Sequence, residues 1–508
     1  MTQLTNINKR PSLLSFPIPF DHPFTIPTLI ATLSASALLY YYLQATHAAE
    51  LVEALRKKDI KKRKQLKRPE DRFASLKVEK RFVNPFEEWQ EVPFLETALF
   101  WLRRWKGNGL PKAQHELEEL LPVQLPALDT IFASRIRTKS LIQHEHTDND
   151  EHYWSDSPNM PTTTTIQQSS AVEPVTFTWF GQSTCLITID GLAILTDPVF
   201  TRCSINDYLG PKRLRPIPCK LEDFQENLDI VLVSHDHFDH LDEKVVYQLG
   251  NSVTWYIPLG LQDWFLKRKV TNVVELDWWQ EIRHHSRPDI MIACVPAMHW
   301  SGSRTPFEKN GTLWCSYAIK GQNNNGVFFC GDTGYSSELF KAIGDIYAPF
   351  TLAAIPIGSF QPESMMQHVH MGPDDAIKVH EDLKMPRLSV GIHWGTFMMS
   401  DEHYLEPPRA LTRLWQKRQQ QGLLNLERHD DDDAQRSSSR QPSTHTNIDE
   451  ESTSSSPTFG GSDVQSIGSS SSSSTISSSM AMNTDDKTTG LYSSRFITTA
   501  FGETVIID

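Results

Sequence analysis

The sequence predicts an α/β protein. Two observations carry that prediction. Short apolar runs recur at residues 177–180, 185–189, 193–196 and 230–233, with the length and β-branched content of buried strands. Stretches with helical spacing follow at 242–249 and 373–383.

The strands matter for what stands at their ends. Ile230-Val231-Leu232-Val233 runs into Ser234-His235-Asp236-His237-Phe238-Asp239-His240-Leu241-Asp242. That run has the form H-x-H-x-D-H, with a second carboxylate at Asp242. A strand ending in such a cluster points several donors into one cleft. Three later apolar runs repeat the device with one residue each. Ile290-Met291-Ile292-Ala293 leads to His299, Gly326-Val327-Phe328-Phe329 leads to Asp332, and Leu388-Ser389-Val390-Gly391-Ile392 leads directly to His393. Any one of them alone would be an ordinary polar residue; four in series at strand ends make a site. Imidazole with carboxylate suits zinc, and also iron or manganese.

The series has company. Trp179-Phe180-Gly181-Gln182-Ser183-Thr184, Leu195-Thr196-Asp197-Pro198-Val199-Phe200, Tyr208-Leu209-Gly210-Pro211-Lys212-Arg213, Ile355-Pro356-Ile357-Gly358 and His370-Met371-Gly372-Pro373 together resemble one family, N-acyl-phosphatidylethanolamine-hydrolysing phospholipase D. Arg81-Phe82-Val83-Asn84-Pro85-Phe86 resembles the segment leading into that family's catalytic domain. The resemblance spans most of residues 80–425 and the last dozen residues. It implies the metallo-β-lactamase αββα sandwich, two mixed β-sheets face to face with helices outside. The metal site then lies at one edge, where strand-end loops converge.

Carried over residue by residue, the resemblance implies two Zn2+ ions per chain. His235, His237 and His299 would hold the first, Asp239, His240 and His393 the second, and Asp332 would bridge them. Asp239, Asp332 and His370 would be the catalytic side chains. Asp197 and Asp242 would stand behind the ligands, orienting a ring or a water. Gln182 and His370 would touch substrate, His370 at the phosphate or leaving group. The implied reaction is zinc-dependent hydrolysis of N-acyl-phosphatidylethanolamine to N-acylethanolamine and phosphatidic acid, by direct attack of metal-activated water at phosphorus. The chain has no H-x-K-x-x-x-x-D motif, the signature of phospholipases D that use a histidine nucleophile.

Composition fits a membrane-bound hydrolase. The 508 residues carry a formal charge of −13, so nucleic acid is not an expected partner. Six cysteines form no C-x-x-C pair and read as buried thiols. Residues 24–43 hold no charge and just reach the length that spans a bilayer. Tyr40, Tyr41 and Tyr42 sit where an interfacial aromatic belt belongs. A basic stretch follows, Arg56-Lys57-Lys58, Lys61-Lys62-Arg63-Lys64 and Lys67-Arg68, which places the catalytic part on the cytosolic or matrix side and offers charges to anionic head groups. Mitochondrial inner membrane and endoplasmic reticulum are not distinguished.

The expected organisation is a tail at 1–23, a transmembrane helix at 24–43 and a basic juxtamembrane segment at 44–80. A catalytic domain follows at 81–428, with a disordered linker at 138–172. A Ser-rich disordered insertion occupies 429–490, and strands at 491–508 return to the core. His144 and His146 fall in the linker and read as spacer. Residues 93–105 form an amphipathic helix, rich in Phe94, Leu95, Leu99, Trp101, Leu102 and Trp105, that packs on the core or meets the membrane. The alternatives to the phospholipase reading are another hydrolase of the same fold (lactonase, thioesterase or nuclease) and a non-catalytic membrane protein that keeps the fold. The family implies a homodimer, for which the sequence shows no seam.

Overall fold

Every residue of β3 (Val175–Gly181), β4 (Thr184–Ile189) and β5 (Leu192–Thr196) is buried. Strands covered on both faces belong inside a layered protein. The computed structural model describes residues 22–92, 94–103, 114–133, 173–302, 309–322, 324–421 and 494–507, and it shows those layers.

A hairpin, β1 (Leu76–Val78) with β2 (Arg81–Val83), precedes them. The first large sheet has seven strands in the order β16-β3-β4-β5-β6-β7-β8, with β6 Ile230–Leu232, β7 Thr254–Pro258, β8 Val273–Leu276 and β16 Thr504–Ile507. The second, also seven-stranded, runs β15-β14-β13-β12-β11-β10-β9. Its members are β9 Glu281–His284, β10 Arg287–Val295, β11 Ser316–Lys320, β12 Gly326–Phe329, β13 Leu352–Pro356, β14 Leu388–Ile392 and β15 Arg495–Ile497. Both sheets are mixed. In the first, β16 through β5 pair antiparallel and β5 through β8 parallel.

Alternate side chains of the first sheet go to different cores, as the two-residue period of a strand requires. Phe177, Trp179, Ile187, Ile194 and Leu232 join Ile292, Tyr317, Phe329, Ala354 and Val390 of the second sheet. Phe180, Leu186, Leu195, Val231 and Trp255 instead pack against Val245, Val246 and Leu249 of a flanking helix, Glu243–Leu249. The helices Ser337–Tyr347 and Pro373–Asp382 contribute Phe340, Ile343, Ile377 and Val379 beside the second sheet. The architecture is the αββα sandwich.

The last residues close both sheets. β15 adds to β14, β16 adds to β3, and between them Phe501 stacks on Trp179 at 4.6 Å. Gly502 makes this crossing possible. Its φ is +82°, and a Cβ there would lie 2.0 Å from the Gln124 carbonyl. The two strands expected around Phe501-Gly502 are thus present, one in each sheet. Residues 138–172, with His144 and His146, and 429–490 lie outside the described residues, as does Trp105.

The N-terminal helix, α1 (Thr25–Arg63), differs from expectation. It does not stop at residue 43 but continues through 39 residues. No glycine or proline interrupts residues 28–63, and Lys61, Lys62 and Arg63 suit the negative end of the helix dipole. Its first half, with Leu29, Ile30, Leu33, Leu38 and Leu39 exposed, is long and apolar enough to cross a membrane. Its second half docks on the sandwich through buried Arg56 and Ile60. In α2 (Phe94–Arg103), Phe100 turns inward while Leu99 and Leu102 face out.

If β15 is part of the core, Phe496 is part of it too. It is buried and stacks on His380 at 5.5 Å. Phe496→Ala should then cost about 3–5 kcal/mol in urea unfolding; a loss under about 1 kcal/mol would mean that the C-terminal strands are an ornament.

Candidate metal centre

The site is built where strands of both sheets end. Asp197 follows β5, the cluster 235–240 follows β6, His299 follows β10, Asp332 follows β12 and His393 follows β14. The two sheets approach closely here. A Cβ on Gly331, whose φ is +58°, would lie 2.7 Å from the Ser234 side chain. Glycine before Asp332 is what allows that carboxylate to meet the histidine cluster.

Hydrogen bonds fix the face each imidazole presents. Ser234 Oγ gives its one proton to Asp197 Oδ2 at 2.5 Å, so it accepts from His235 Nδ1–H at 2.8 Å. His299 Nδ1–H donates to the Val369 carbonyl at 2.8 Å. Both rings therefore turn an Nε2 lone pair inward. These lie 2.7 and 3.3 Å from His237 Nδ1. One shared proton cannot satisfy three converging nitrogens, whereas a cation can. Nitrogens bound to a tetrahedral zinc at its usual bond length are about 3.3 Å apart.

The second group is Asp239, His240 and His393. Asp197 also accepts from His240 Nδ1–H at 2.7 Å and aims His240 Nε2 at the site. Asp239 Oδ2 lies 3.5 Å from that nitrogen and 3.7 Å from His393 Nε2. Asp332 stands between the groups, its Oδ2 3.0 Å from His240, 3.2 Å from His393 and 3.8 Å from both His299 and His370. Its Oδ1 is buried without a hydrogen-bond partner among the described residues. The Gln182 amide lies 2.5 Å from Asp239 Oδ2 and 2.7 Å from His393 Nε2. Gln182, Asp197 and His393 all have positive φ, +51°, +33° and +60°. Three non-glycine residues held in that region mark a surrounding structure that enforces the geometry.

Burial drives His235 well below the ordinary imidazole value, and drives His237, His299 and His370 down to about 3. His240 and His393 go the other way. Burial opposes their charge, but Asp332 and Asp239 outweigh it, holding His240 well above the usual value and His393 at about 9. Asp239 and Asp332, which burial would raise, are held well below the carboxylate range by those imidazoles. A buried site with neutral imidazoles on one side and carboxylates on the other, some of its donor atoms unsatisfied, fits divalent metal.

Two assignments change. Among the described residues, Asp242 bonds no histidine. Its Oδ1 accepts from Lys244 N at 2.9 Å and its Oδ2 from Phe200 N at 3.1 Å, so it caps the helix Glu243–Leu249. Ser234, unassigned in the sequence reading, links Asp197 to His235. Trp300 also borders the site, its ring 4.1 Å from that of His237. His370 stands at the rim, with 15% of its side chain exposed. All six cysteines are free thiols, five of them buried.

A β-lactamase superfamily domain model matches residues 193–394. A Saccharomyces cerevisiae protein named mitochondrial N-acyl-phosphatidylethanolamine-hydrolysing phospholipase D is 34% identical over 68% of this chain and 73% of its own length. A Caenorhabditis elegans protein named N-acyl-phosphatidylethanolamine-hydrolysing phospholipase D 1 is 42% identical over 48% of this chain and 70% of its own. An uncharacterised Mycobacterium tuberculosis protein is 39% identical over 46% of this chain and 62% of its own.

Metal must displace the protons that His240 and His393 hold in the metal-free protein. The raised folded-state values mean that these imidazoliums stabilise the metal-free fold fully below pH 6.5, and that the His393 contribution disappears as pH rises through about 9. Metal affinity at the second group should therefore rise from pH 6 to 9, about tenfold per unit for each proton displaced. The first group, already neutral, should change little from pH 6 to 8. Calorimetric metal titrations at pH 6, 7 and 8 would show it; equal pH dependence at both sites would contradict the assignment. Asp242→Ala should cost about 1 kcal/mol of stability and leave metal content unchanged.

Proposed function

The chain belongs to the N-acyl-phosphatidylethanolamine-hydrolysing phospholipase D family, and we propose that this metal-dependent phosphodiesterase cleaves N-acyl-phosphatidylethanolamine to N-acylethanolamine and phosphatidic acid with two zinc ions. The observation that carries the reading is the Asp332 carboxylate lying between a group of three imidazoles and a group of two imidazoles with a carboxylate. His235, His237 and His299 would hold one ion, Asp239, His240 and His393 the other, with Asp332 shared. When bound, the metals supply the Lewis acidity that activates water and offsets charge on the phosphate.

The chain's own residues do the rest. Asp197 fixes the tautomers of His235 and His240, so that each offers a lone pair at the right nitrogen. Gln182 holds the Asp239 carboxylate in one orientation. His370, kept neutral by burial, faces the cleft from its rim and contacts the phosphate or the departing alkoxide oxygen. Water adds to phosphorus as the bond to the ethanolamine oxygen breaks; its oxygen stays in phosphatidic acid and a proton ends on the alcohol. No serine or cysteine nucleophile is required. The exposed apolar half of α1 anchors the enzyme in the membrane that carries its substrate, with the basic end of the helix on the cytosolic or matrix side.

The test is product analysis by mass spectrometry on zinc-loaded protein, with N-acyl-phosphatidylethanolamine in mixed micelles and ¹⁸O-labelled water. One label in phosphatidic acid, with N-acylethanolamine released, is expected. No turnover by a metal-loaded protein would turn the search to esters, thioesters and lactones. Asp332→Asn and His237→Ala should each lower kcat by more than about 100-fold with the fold retained, because a lost ligand costs more than a lost supporting residue.

A further inference from the structure

We infer that α1 positions the metal centre, through Arg56 to the approach segment 82–89 and through Asn84 of that segment to the carbonyl of His299. The inference rests on the metal-site reading above.

Arg56 belongs to the basic stretch that the sequence offers to lipid head groups. Its structure assigns it elsewhere, because it is 3% exposed. All five of its N–H groups are used. Nε and Nη2 grip Glu53 at 2.7 and 2.9 Å. Nη1 donates to the carbonyls of Asn84 and Phe86 at 3.2 and 2.6 Å, and Nη2 to that of Trp89 at 3.2 Å. The guanidinium also lies over the Trp89 ring at 4.9 Å. Most of this segment, beyond β2, is neither helix nor strand. Carbonyls without a ladder need other partners, and one side chain of α1 supplies three.

The held segment is tied to His299 twice. Asn84 is fully buried, and its Nδ2 donates to the His299 carbonyl at 2.7 Å while its Oδ1 has no partner among the described residues. A half-satisfied buried amide is costly, and its one bond goes to the backbone of a residue facing the metal site. The second tie runs to the ring. His368 Nδ1–H donates to the Glu88 carbonyl at 2.8 Å, and the next residue, Val369, is the acceptor that orients the His299 imidazole. Ser336 Oγ, bonded to the Glu88 carboxylate at 2.9 Å, braces the same point. One segment thus fixes both the backbone and the ring of His299, and α1 fixes the segment. Arg56 and Asn84 are positioning residues for one of the two metals.

The experiment is cobalt(II) titration of metal-free, full-length protein in detergent micelles, read by visible absorption and chelator competition. Variants are Asn84→Leu, close in shape but without a donor, and Arg56→Lys, which keeps the charge and loses the fork. Lys58→Gln is the control, since Lys58 is solvent-facing. Wild-type protein should take two ions. Each positioning variant should bind one of them about 10–100-fold more weakly, with that ion's spectrum shifted and the other unchanged. Excess metal should restore kcat at an unaltered KM. Folded variants with wild-type affinities and spectra would overturn the inference, as would equal weakening of both ions or the same loss in Lys58→Gln. Should Arg56→Lys fail to fold, Asn84→Leu decides. A wild-type protein that takes no cobalt would instead overturn the metal-site reading itself.

Discussion

One buried carboxylate sets the chemistry of this site. Asp197 is wholly inaccessible, and burial pushes its pKa upward against the bonds it accepts from His240 and Ser234. Those bonds make it useful. Through His240 Nδ1 it fixes a residue of one group, and through Ser234 Oγ it fixes His235 of the other. A neutral imidazole offers a lone pair at only one nitrogen, so a site needing lone pairs at chosen atoms must place protons at the others. Asp197 places two. Its φ of +33°, unusual for a residue with a Cβ, shows what the backbone yields to bring the carboxylate there.

The sandwich explains how donors far apart in sequence meet. Both sheets contain parallel strands whose ends point to one edge, and each such end leaves a loop there. The antiparallel remainder closes the far sides. The C-terminal strands are the least local part. β15 extends the second sheet beside β14, which precedes His393, and β16 extends the first beside β3, which precedes Gln182. His393 N donates to the Gln182 carbonyl at 2.8 Å, so the seam between sheets is stitched next to the site. The chain's end is therefore part of the frame that holds a metal-facing residue.

What the sequence revealed follows from range. An apolar run ending in a histidine or aspartate is a local pattern, and His235, His237, His240, His299, Asp332 and His393 all declare themselves that way. The central strands and the helix from Pro373 were legible for the same reason. Asp242 was misread because nearness to the cluster outweighed a better local signal: an aspartate followed by Glu243-Lys244-Val245 is a helix start. Ser234 stood in view, but its role needs Asp197, 37 residues away. Asn84 lies 215 residues from His299, and nothing local marks either Asn84 or Arg56 as inward-facing. The basic run reads as facing anionic head groups because most of its members are exposed; Arg56 is buried instead.

If α1 spans a membrane as proposed, its continuity constrains how a bilayer-borne substrate would reach this site. A span ending at Leu43 fills the hydrocarbon core with its 20 residues. Arg56, the first docked residue, lies 13 residues further, about 20 Å along an uninterrupted helix. The headgroup layer is only about 5–8 Å thick. An upright helix would thus hold the sandwich clear of the phosphodiesters it must cleave. A leaning helix brings the body down, and the side chains between span and dock are suited to it: Leu51 and Leu55 are exposed one turn apart. Laying them into the interface buries apolar surface that an upright helix leaves in water. Because Arg56 locks α1 to the segment behind His299, such a lean would also set how the catalytic body faces that membrane.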